Sequence, residues 1–364
     1  MDLVFPKKGK SVGIIGAGPS GLTCGYYLAR LGYEVDIYES QPIAGGILAF
    51  GIPEYRLPND VLQHEIKMIE QVGVKIHLNT EVGSDITFYQ LRDKHDAVYI
   101  STGTQFSNRI NIPGEELKGV YHGLDFLRDV NLKRYVKVGE KVAVIGGGNT
   151  AIDAARTALR LGAKEVTILY RRTVEDMPAD RREIKDAMEE GIKIITLVAP
   201  TVFKGEDRVK AVECVKMELG QFDSSGRRKP KPVKNSEFIV EADMVIPAVS
   251  QSSDLPFIDR DEVEVTQWGT FITDRDTLMT KMKGVFAGGD VARGSDVAIT
   301  AIADGKKAAQ SIDKYMGGKG ELNTGEEIEI PKAAEEKEIV EHERFSMKFL
   351  DPEVRKTNFD EVAV

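Results

Sequence analysis

A short apolar run, a glycine-rich turn and a helix-like stretch occur in that order twice in this 364-residue chain. That repeat constrains the fold more than any other feature. The first copy reads Lys10-Ser-Val-Gly-Ile-Ile-Gly16-Ala-Gly18-Pro-Ser20-Gly21, and the second reads Lys141-Val-Ala-Val-Ile-Gly146-Gly-Gly148-Asn149-Thr150-Ala151. Gly16 and Gly146 stand 130 residues apart, about one domain length. The apolar runs suit buried parallel strands. In such a unit the first glycine allows a sharp turn, the second lets a pyrophosphate approach the backbone, and the third lets the helix pack close to the strand. The helix then offers unpaired N–H groups and a partial positive charge to the phosphates. Ala151 in the third position is a permitted variant. Two such units predict an α/β fold of two nested Rossmann-like domains, each binding a dinucleotide.

The two units part company after their second strands. In the first, the strand Glu34–Glu39 ends in Glu39, 23 residues beyond Gly16. A carboxylate there accepts hydrogen bonds from the adenosine ribose and repels a 2′-phosphate. In the second, the strand Glu165–Tyr170 runs into Arg171 and Arg172. Paired guanidiniums favour a 2′-phosphate through charge-assisted bonds. The second site is therefore expected to take NADP(H). The first loop suits FAD or NAD equally. A third motif, Gly284-Val-Phe-Ala-Gly-Gly289-Asp290, followed by a helix-like run over about 296–315, favours FAD. An aspartate there can bond a ribityl hydroxyl, and a helix N-terminus can stabilise charge on a reduced flavin.

These three motifs in this order resemble the two-dinucleotide flavoproteins of the pyridine nucleotide–disulfide reductase superfamily. The closer resemblance is to the glutamate synthase small subunit and its relatives. It is carried by Gly45-Gly46-Ile-Leu48-Ala-Phe-Gly-Ile-Pro-Glu-Tyr-Arg56-Leu-Pro, Gly146-Gly-Gly-Asn-Thr-Ala-Ile-Asp153, Leu169-Tyr-Arg-Arg172, and Gly289-Asp290 with Ala301-Ile-Ala-Asp-Gly-Lys306. It covers about residues 5–318. The resemblance implies an FAD site of Gly16, Gly18, Ser20, Gly21, Glu39, Gly46, Leu48, Arg56, Val82, Thr102, Gly103, Asp290, Val297 and Ala298. It implies an NADP site of Gly146, Gly148, Asn149, Thr150, Arg171 and Arg172. Arg56, Val82, Val297 and Ala298 rest on the resemblance alone. Where the family often has glycine after Val245-Ile-Pro-Ala-Val, this chain has Ser250.

The formal net charge of −9 argues against a general nucleic-acid surface. No apolar run reaches membrane-spanning length, and the first ten residues lack the apolar core of a signal peptide. A cytoplasmic protein is expected. The chain has two cysteines, Cys24 and Cys214. They form no C-x-x-C pair, which leaves no obvious redox disulfide, and they are too few for an all-cysteine iron–sulfur cluster. The five histidines show no metal-ligand spacing. In the resembled family a cysteine-rich cluster module usually precedes the region that starts here. The expectation is therefore that a partner subunit carries the clusters, or that the chain is a fragment of something longer.

The domain boundaries expected are 1–110 and 256–320 for a discontinuous FAD-binding domain, 111–140 for a crossover, 141–255 for an inserted NADP-binding domain and 321–364 for a charged C-terminal tail. The basic stretch 223–232 reads as a solvated hairpin loop, since charge runs usually face water. Within the tail, Phe345, Met347, Phe349 and Leu350 form a small apolar group, read as docking back onto the parent domain in preference to binding another subunit. The reaction expected is hydride transfer between NADP(H) and FAD, with electrons passed to or from a partner's clusters. It needs stacked rings and no protein acid, base or nucleophile. The rival readings are a stand-alone NAD(P)H oxidase or reductase, and a non-catalytic flavin scaffold or redox sensor.

Overall fold

The computed structural model describes residues 6–222, 226–253, 255–259, 262–322 and 347–363. Most of the acidic stretch after residue 322, and Phe345 with it, lies outside the described residues.

The first run, Ser11–Ile15, forms strand β1, buried from Val12 onward. It leads through the glycine turn into α1 (Pro19–Arg30) and then β2 (Glu34–Tyr38). Next come α2 (Ile47–Phe50), α3 (Asn59–Gln71), β3 (Val74–His77), α4 (Phe88–Lys94) and β4 (Ala97–Ile100). The chain continues as β5 (Phe106–Ser107), α5 (Gly123–Asn131), β6 (Lys141–Ile145), α6 (Asn149–Arg160), β7 (Glu165–Tyr170), α7 (Arg181–Glu189) and β8 (Lys193–Thr196). An all-strand stretch follows: β9 (Val198–Gly205), β10 (Val209–Phe222), β11 (Arg228–Pro232), β12 (Phe238–Glu241), β13 (Met244–Pro247) and β14 (Gln251–Ser252). The described chain ends with β15 (Val285–Ala287), α8 (Asp290–Arg293), α9 (Ala298–Tyr315) and α10 (Pro352–Arg355).

Two parallel sheets organise these elements. One has the order β15-β4-β1-β2-β3, the other β13-β6-β7-β8. In register, Ile14 pairs with Ile37 on one side and Tyr99 on the other, while Val142 pairs with Val166 and Met244. In each sheet the strand carrying the glycine turn, β1 or β6, lies where the strand order reverses. Open α/β sheets place their ligand crevice at that point, beyond the carboxyl ends of the strands.

The first sheet is covered on one face by α1, α3 and α9, through Leu28, Ile37, Ile66 and Ile312. Its other face packs Phe88 and Leu91 against Leu255, Ile258 and Phe271. The second sheet is helical on one face only, where α5, α6 and α7 bury Phe126, Ile152 and Ile184. The strands β9 to β12 cover the other face, through Val198, Phe203, Val209 and Cys214. Among them β10 is one antiparallel strand of 14 residues.

Residues 347–363 fold back onto the body. Leu350 N–H donates to Val362 O at 3.0 Å, and Val362 N–H donates to Tyr55 O at 3.3 Å. Among the described residues no helix is long and apolar enough to cross a membrane.

Candidate functional site: two dinucleotide crevices

The first turn is close-packed at one glycine and open at another. A Cβ on Gly21 would stand 2.1 Å from Gly16 O and 2.6 Å from Ser101 Oγ, whereas a Cβ on Gly18 would meet nothing within 4 Å. Gly21 therefore seats α1 on the turn, and Gly18 leaves room for an incoming group. The second turn repeats this at Gly148, which is open, and Gly146, whose Cβ would lie 2.2 Å from Ala248 O. Gly46, with φ of +57°, walls the first turn, since its Cβ would lie 2.9 Å from Gly18 Cα. Leu48 packs beside it against the first core.

The helices behind both turns have bare N-termini. Neither α1 nor α6 has a side-chain cap or an acid in its first turn. By contrast α4 is capped by Thr87 and α7 by Asp180. Bare amides of this kind suit an anion. The N-terminus of α9 is uncapped in the same way, with Val297 and Ala298 exposed at its start.

A small cavity of about 110 Å³ opens beside the first turn, lined by Gly16, Glu39, Val82, Thr102, Gly103 and Phe106 among others. Glu39 is 2 % exposed there. Its carboxylate accepts from Ala17 N at 2.9 Å and Gln41 N at 2.9 Å. Burial pushes its pKa above the usual value, and the backbone bonds pull against that. A carboxylate has about four acceptor sites, so capacity remains for ribose hydroxyls. Asp290 starts α8 directly after Gly289 (φ +72°), and burial raises its carboxyl to about 6.

Two of the expected residues have side chains engaged by other protein groups. The Ser20 hydroxyl is engaged by Tyr99 Oη at 2.6 Å. Arg56 lines neither cavity. Its Nη1 lies 2.9 and 2.8 Å from the Asp153 oxygens on α6, and its Nε 3.2 Å from Glu183 on α7. The ion pairs thus tie the Arg56 side chain to α6 and α7 of the second unit.

The second crevice is a cavity of about 830 Å³, walled by Gly146, Gly148, Thr150, Arg171, Arg172 and Ser250 among others. Asn149 braces the turn by accepting from Asp180 N at 3.0 Å. The Thr150 hydroxyl is met by Gln251 Nε2 at 3.4 Å. Arg171 is exposed, while Arg172 is 5 % exposed and donates Nε to Arg228 O at 2.9 Å. Ser250 is not among the described residues with positive φ, so the backbone there makes no demand that only glycine could meet.

Sequence reasoning missed the residues that join the crevices. Strands β5 and β14 pair as a two-stranded ribbon, Gln251 opposite Ser107 and Ser252 opposite Phe106. Phe106 lines the small cavity, and Ser107 and Gln251 line the large one. Thr104 and Ser295 hydrogen-bond at 2.8 Å beside it. No motif marks these residues; only the pairing of distant segments brings them together. Arg227, from the stretch read as a solvated loop, also lines the large cavity.

The geometry provides two anion-receptive helix ends, one with a buried carboxylate beyond it and one with arginines. The residues fit a dinucleotide with a free ribose in the first and a 2′-phosphorylated one in the second. Cys24 and Cys214 are both buried, and burial raises both thiols well above their ordinary values. They sit in different cores and supply no disulfide chemistry.

Comparison with known proteins agrees with this geometry. The chain is 49% identical over 312 residues to the NADP(+)-dependent formate dehydrogenase subunit beta of Moorella thermoacetica, covering 85% of this chain and 44% of that one. It is 43% identical to the NADPH-Fe(3+) oxidoreductase subunit beta of Geobacter sulfurreducens, covering 89% of this chain and 52% of that one. The chain thus spans about half the length of these two relatives. It is 41% identical to the glutamate synthase [NADPH] small chain of Azospirillum brasilense, covering 86% of this chain and 68% of that one. Mycobacterium tuberculosis FprA, solved in complex with NADPH, shares the fold with a TM-score of 0.71 at 20% identity, over 85% of this chain and 84% of that one. The pattern of the pyridine nucleotide-disulphide oxidoreductase family matches residues 10–305, and the chain belongs to that family.

Proposed function

We propose that this chain is a flavoprotein oxidoreductase subunit that binds FAD in the first crevice and NADP(H) in the second. It exchanges electrons with a partner subunit bearing iron–sulfur clusters. One observation carries this reading. Two crevices built on the same plan differ where specificity is set, with Glu39 beyond one and Arg171 and Arg172 beyond the other, and they meet at one two-stranded ribbon. The relatives' names, each a subunit or small chain tied to NADP(+) or NADPH, support the second half of the reading.

On this reading the flavin unit is 1–110 with 256–320, and the NADP unit is 141–255. When bound, the two cofactors supply hydride donor and acceptor, and the chain supplies position and charge. Gly18 and Gly148 admit the pyrophosphates, and the bare ends of α1 and α6 neutralise them. Glu39 holds a ribose, and Asp290 and the start of α9 hold the flavin side. No side chain is asked to move a proton. Buried, unpaired cysteines fit the proposed cytoplasmic setting, where thiols stay reduced.

The test is anaerobic. NADPH added to the flavin-loaded protein should bleach the flavin absorbance band within seconds, and NADH should do so far less well. An unchanged spectrum with flavin and NADPH both bound would end the oxidoreductase reading and favour a non-catalytic scaffold.

A further inference from the structure

The large cavity has a cationic wall that neither glycine turn nor β7 supplies. Arg227 stands in the connection from β10 to β11, far from Arg172 in sequence, yet it lines the same cavity as Arg171 and Arg172. It is half-buried, while its neighbours Arg228 and Lys229 are exposed.

The hairpin is anchored there from two sides. From the sheet, the buried Arg172 donates Nε to Arg228 O at 2.9 Å. Within the hairpin, Arg228 donates Nε to Gly220 O and Nη2 to Leu219 O, each at 3.1 Å. Strand β9, antiparallel to β10, begins at Val198, and Val198, Ala199 and Pro200 line the same cavity. The tip of β7, the start of β9 and the base of the hairpin therefore form one wall.

We propose that Arg227 is a specificity-determining residue of the second site. With Arg171 it grips the phosphate monoester on an adenosine 2′-oxygen, and Arg172 acts as a positioning residue that holds the hairpin against the tip of β7. This rests on the reading of the second crevice as an NADP(H) site. A phosphate monoester carries close to two charges and three acceptor oxygens at neutral pH. One guanidinium fork satisfies two of those oxygens. A second guanidinium from a different strand can satisfy the third, and a ribose hydroxyl gives it nothing comparable to bind. Arg172 is 5 % exposed and directs its Nε at a main-chain carbonyl of the hairpin, so its role is to fix the wall.

Titration calorimetry of the purified protein at constant ionic strength tests this, with 2′,5′-ADP and 5′-AMP as probes. Arg227→Ala should weaken 2′,5′-ADP about tenfold, since bonds to charged groups are the strong ones, and leave 5′-AMP unchanged. Lys229→Ala removes an equal charge from the exposed neighbour and should change neither. Arg172→Lys keeps the charge but loses the planar Nε donor. It should weaken 2′,5′-ADP, and the double variant with Arg227→Ala should be no worse than Arg227→Ala alone.

If Arg227→Ala leaves 2′,5′-ADP binding intact while Arg171→Ala loses it, Arg227 is a bystander and the inference falls. Loss with Lys229→Ala equal to that with Arg227→Ala would reduce the effect to a general field and overturn it too. Additive losses in the double variant would overturn the positioning role. A wild-type protein that binds both probes alike, with Arg171→Ala also silent, would overturn the NADP(H) reading itself.

Discussion

Arg56 Nη1 lies 2.8 Å from Asp153 Oδ2, and this ion pair crosses from the segment after α2 in the first unit to α6 in the second. The Arg56 Nε reaches Glu183 on α7 at 3.2 Å, so one guanidinium is bracketed by two carboxylates of the neighbouring unit. The Asp153 side chain is 5 % exposed. Removing the partner of a buried carboxylate leaves an uncompensated charge, which costs about 3 kcal/mol. Arg56→Met should therefore lower unfolding stability by that order in a urea titration. Flavin affinity, measured on the folded protein, should change little, because the guanidinium is engaged by Asp153 and Glu183. A large loss of flavin affinity with stability unchanged would return Arg56 to the flavin site.

The two glycine turns make a sharper prediction, since their open and closed positions are known. Gly18→Ala and Gly148→Ala place a methyl where no protein atom lies within 4 Å. Their backbones are extended, with φ of −77° and −88°, so alanine adds no strain. Each should fold with near-normal stability and lose one ligand, flavin for Gly18→Ala and NADP(H) for Gly148→Ala. Gly21→Ala is the contrasting case, since its methyl would meet Gly16 O at 2.1 Å. It should destabilise the fold by several kcal/mol by forcing α1 off the turn. Thermal unfolding of ligand-free protein separates the two classes. A Gly18→Ala protein that keeps flavin at full affinity would mean that the pyrophosphate does not approach there.

The glycine turns, Glu39 and the arginines after β7 were legible in the sequence because their geometry is local. A turn, a helix start and a strand end are set within about thirty residues, and each demands particular residue types. The place of Arg227 on the cavity wall and the ion pairs of Arg56 were not legible, for two different reasons. Arg227 lies in a run of charged residues, and charge runs usually face water; Arg228, Lys229 and Lys231 do so here. The base of the Arg227 hairpin is fixed by the register of β10 on β11 and by the bond from Arg172 to Arg228 O, neither of which has a sequence signal. Arg56 sits in a motif whose text resembles a flavin site. The packing of α6 and α7 against that segment gives its side chain nearer partners. The ribbon of β5 and β14 was missed for the same reason as Arg227, because it pairs two-residue segments about 145 positions apart.

Asp290 should leave a signature in the pH dependence of the ligand-free protein. Burial holds its carboxyl at about 6 against an ordinary 3.8. Between those values the folded protein keeps a proton that the unfolded chain has lost. Folding stability therefore falls as pH rises from about 4 to about 6 and is level with respect to this group above that. Asp36 and Asp313, lowered by their partners, change their contribution below about pH 4, outside this window, whereas Asp153, also raised by burial to about 6, adds to the fall. The quantity to measure is the difference between wild type and Asp290→Asn. The variant should gain stability relative to wild type as pH climbs through this window. A flat difference would mean that Asp290 is solvated rather than buried.

Arg355 fastens the C-terminal segment to the body, and its loss should free that segment. It is 2 % exposed, with Nη2 at 2.9 Å from Glu189 and 3.5 Å from Asp186 and Nε at 3.1 Å from Glu190. Glu190 also pairs with Arg156 at 2.7 Å and Arg160 at 2.8 Å, so Arg355 completes a set of three arginines around the acids at the end of α7. Around it, Arg182 stacks 3.6 Å over the Phe349 ring, and Phe359 packs against Tyr55. Tyr55 belongs to the first unit and Glu189 to the second, so the segment ties both. Among the described residues, Arg355→Ala would leave Asp186 with only Arg156 at 3.7 Å, Glu189 with only Lys185 at 3.7 Å, and Glu190 with less compensation. The expected cost is about 3 kcal/mol, read in thermal unfolding. Limited proteolysis of the folded variant should cut within 347–363 at least tenfold faster than in wild type, since the rate of cutting follows how often the segment opens, and the ion pairs of Arg355 oppose opening. Unchanged cleavage with unchanged stability would mean that the apolar packing of Phe349 and Phe359 holds the segment without the ion pairs.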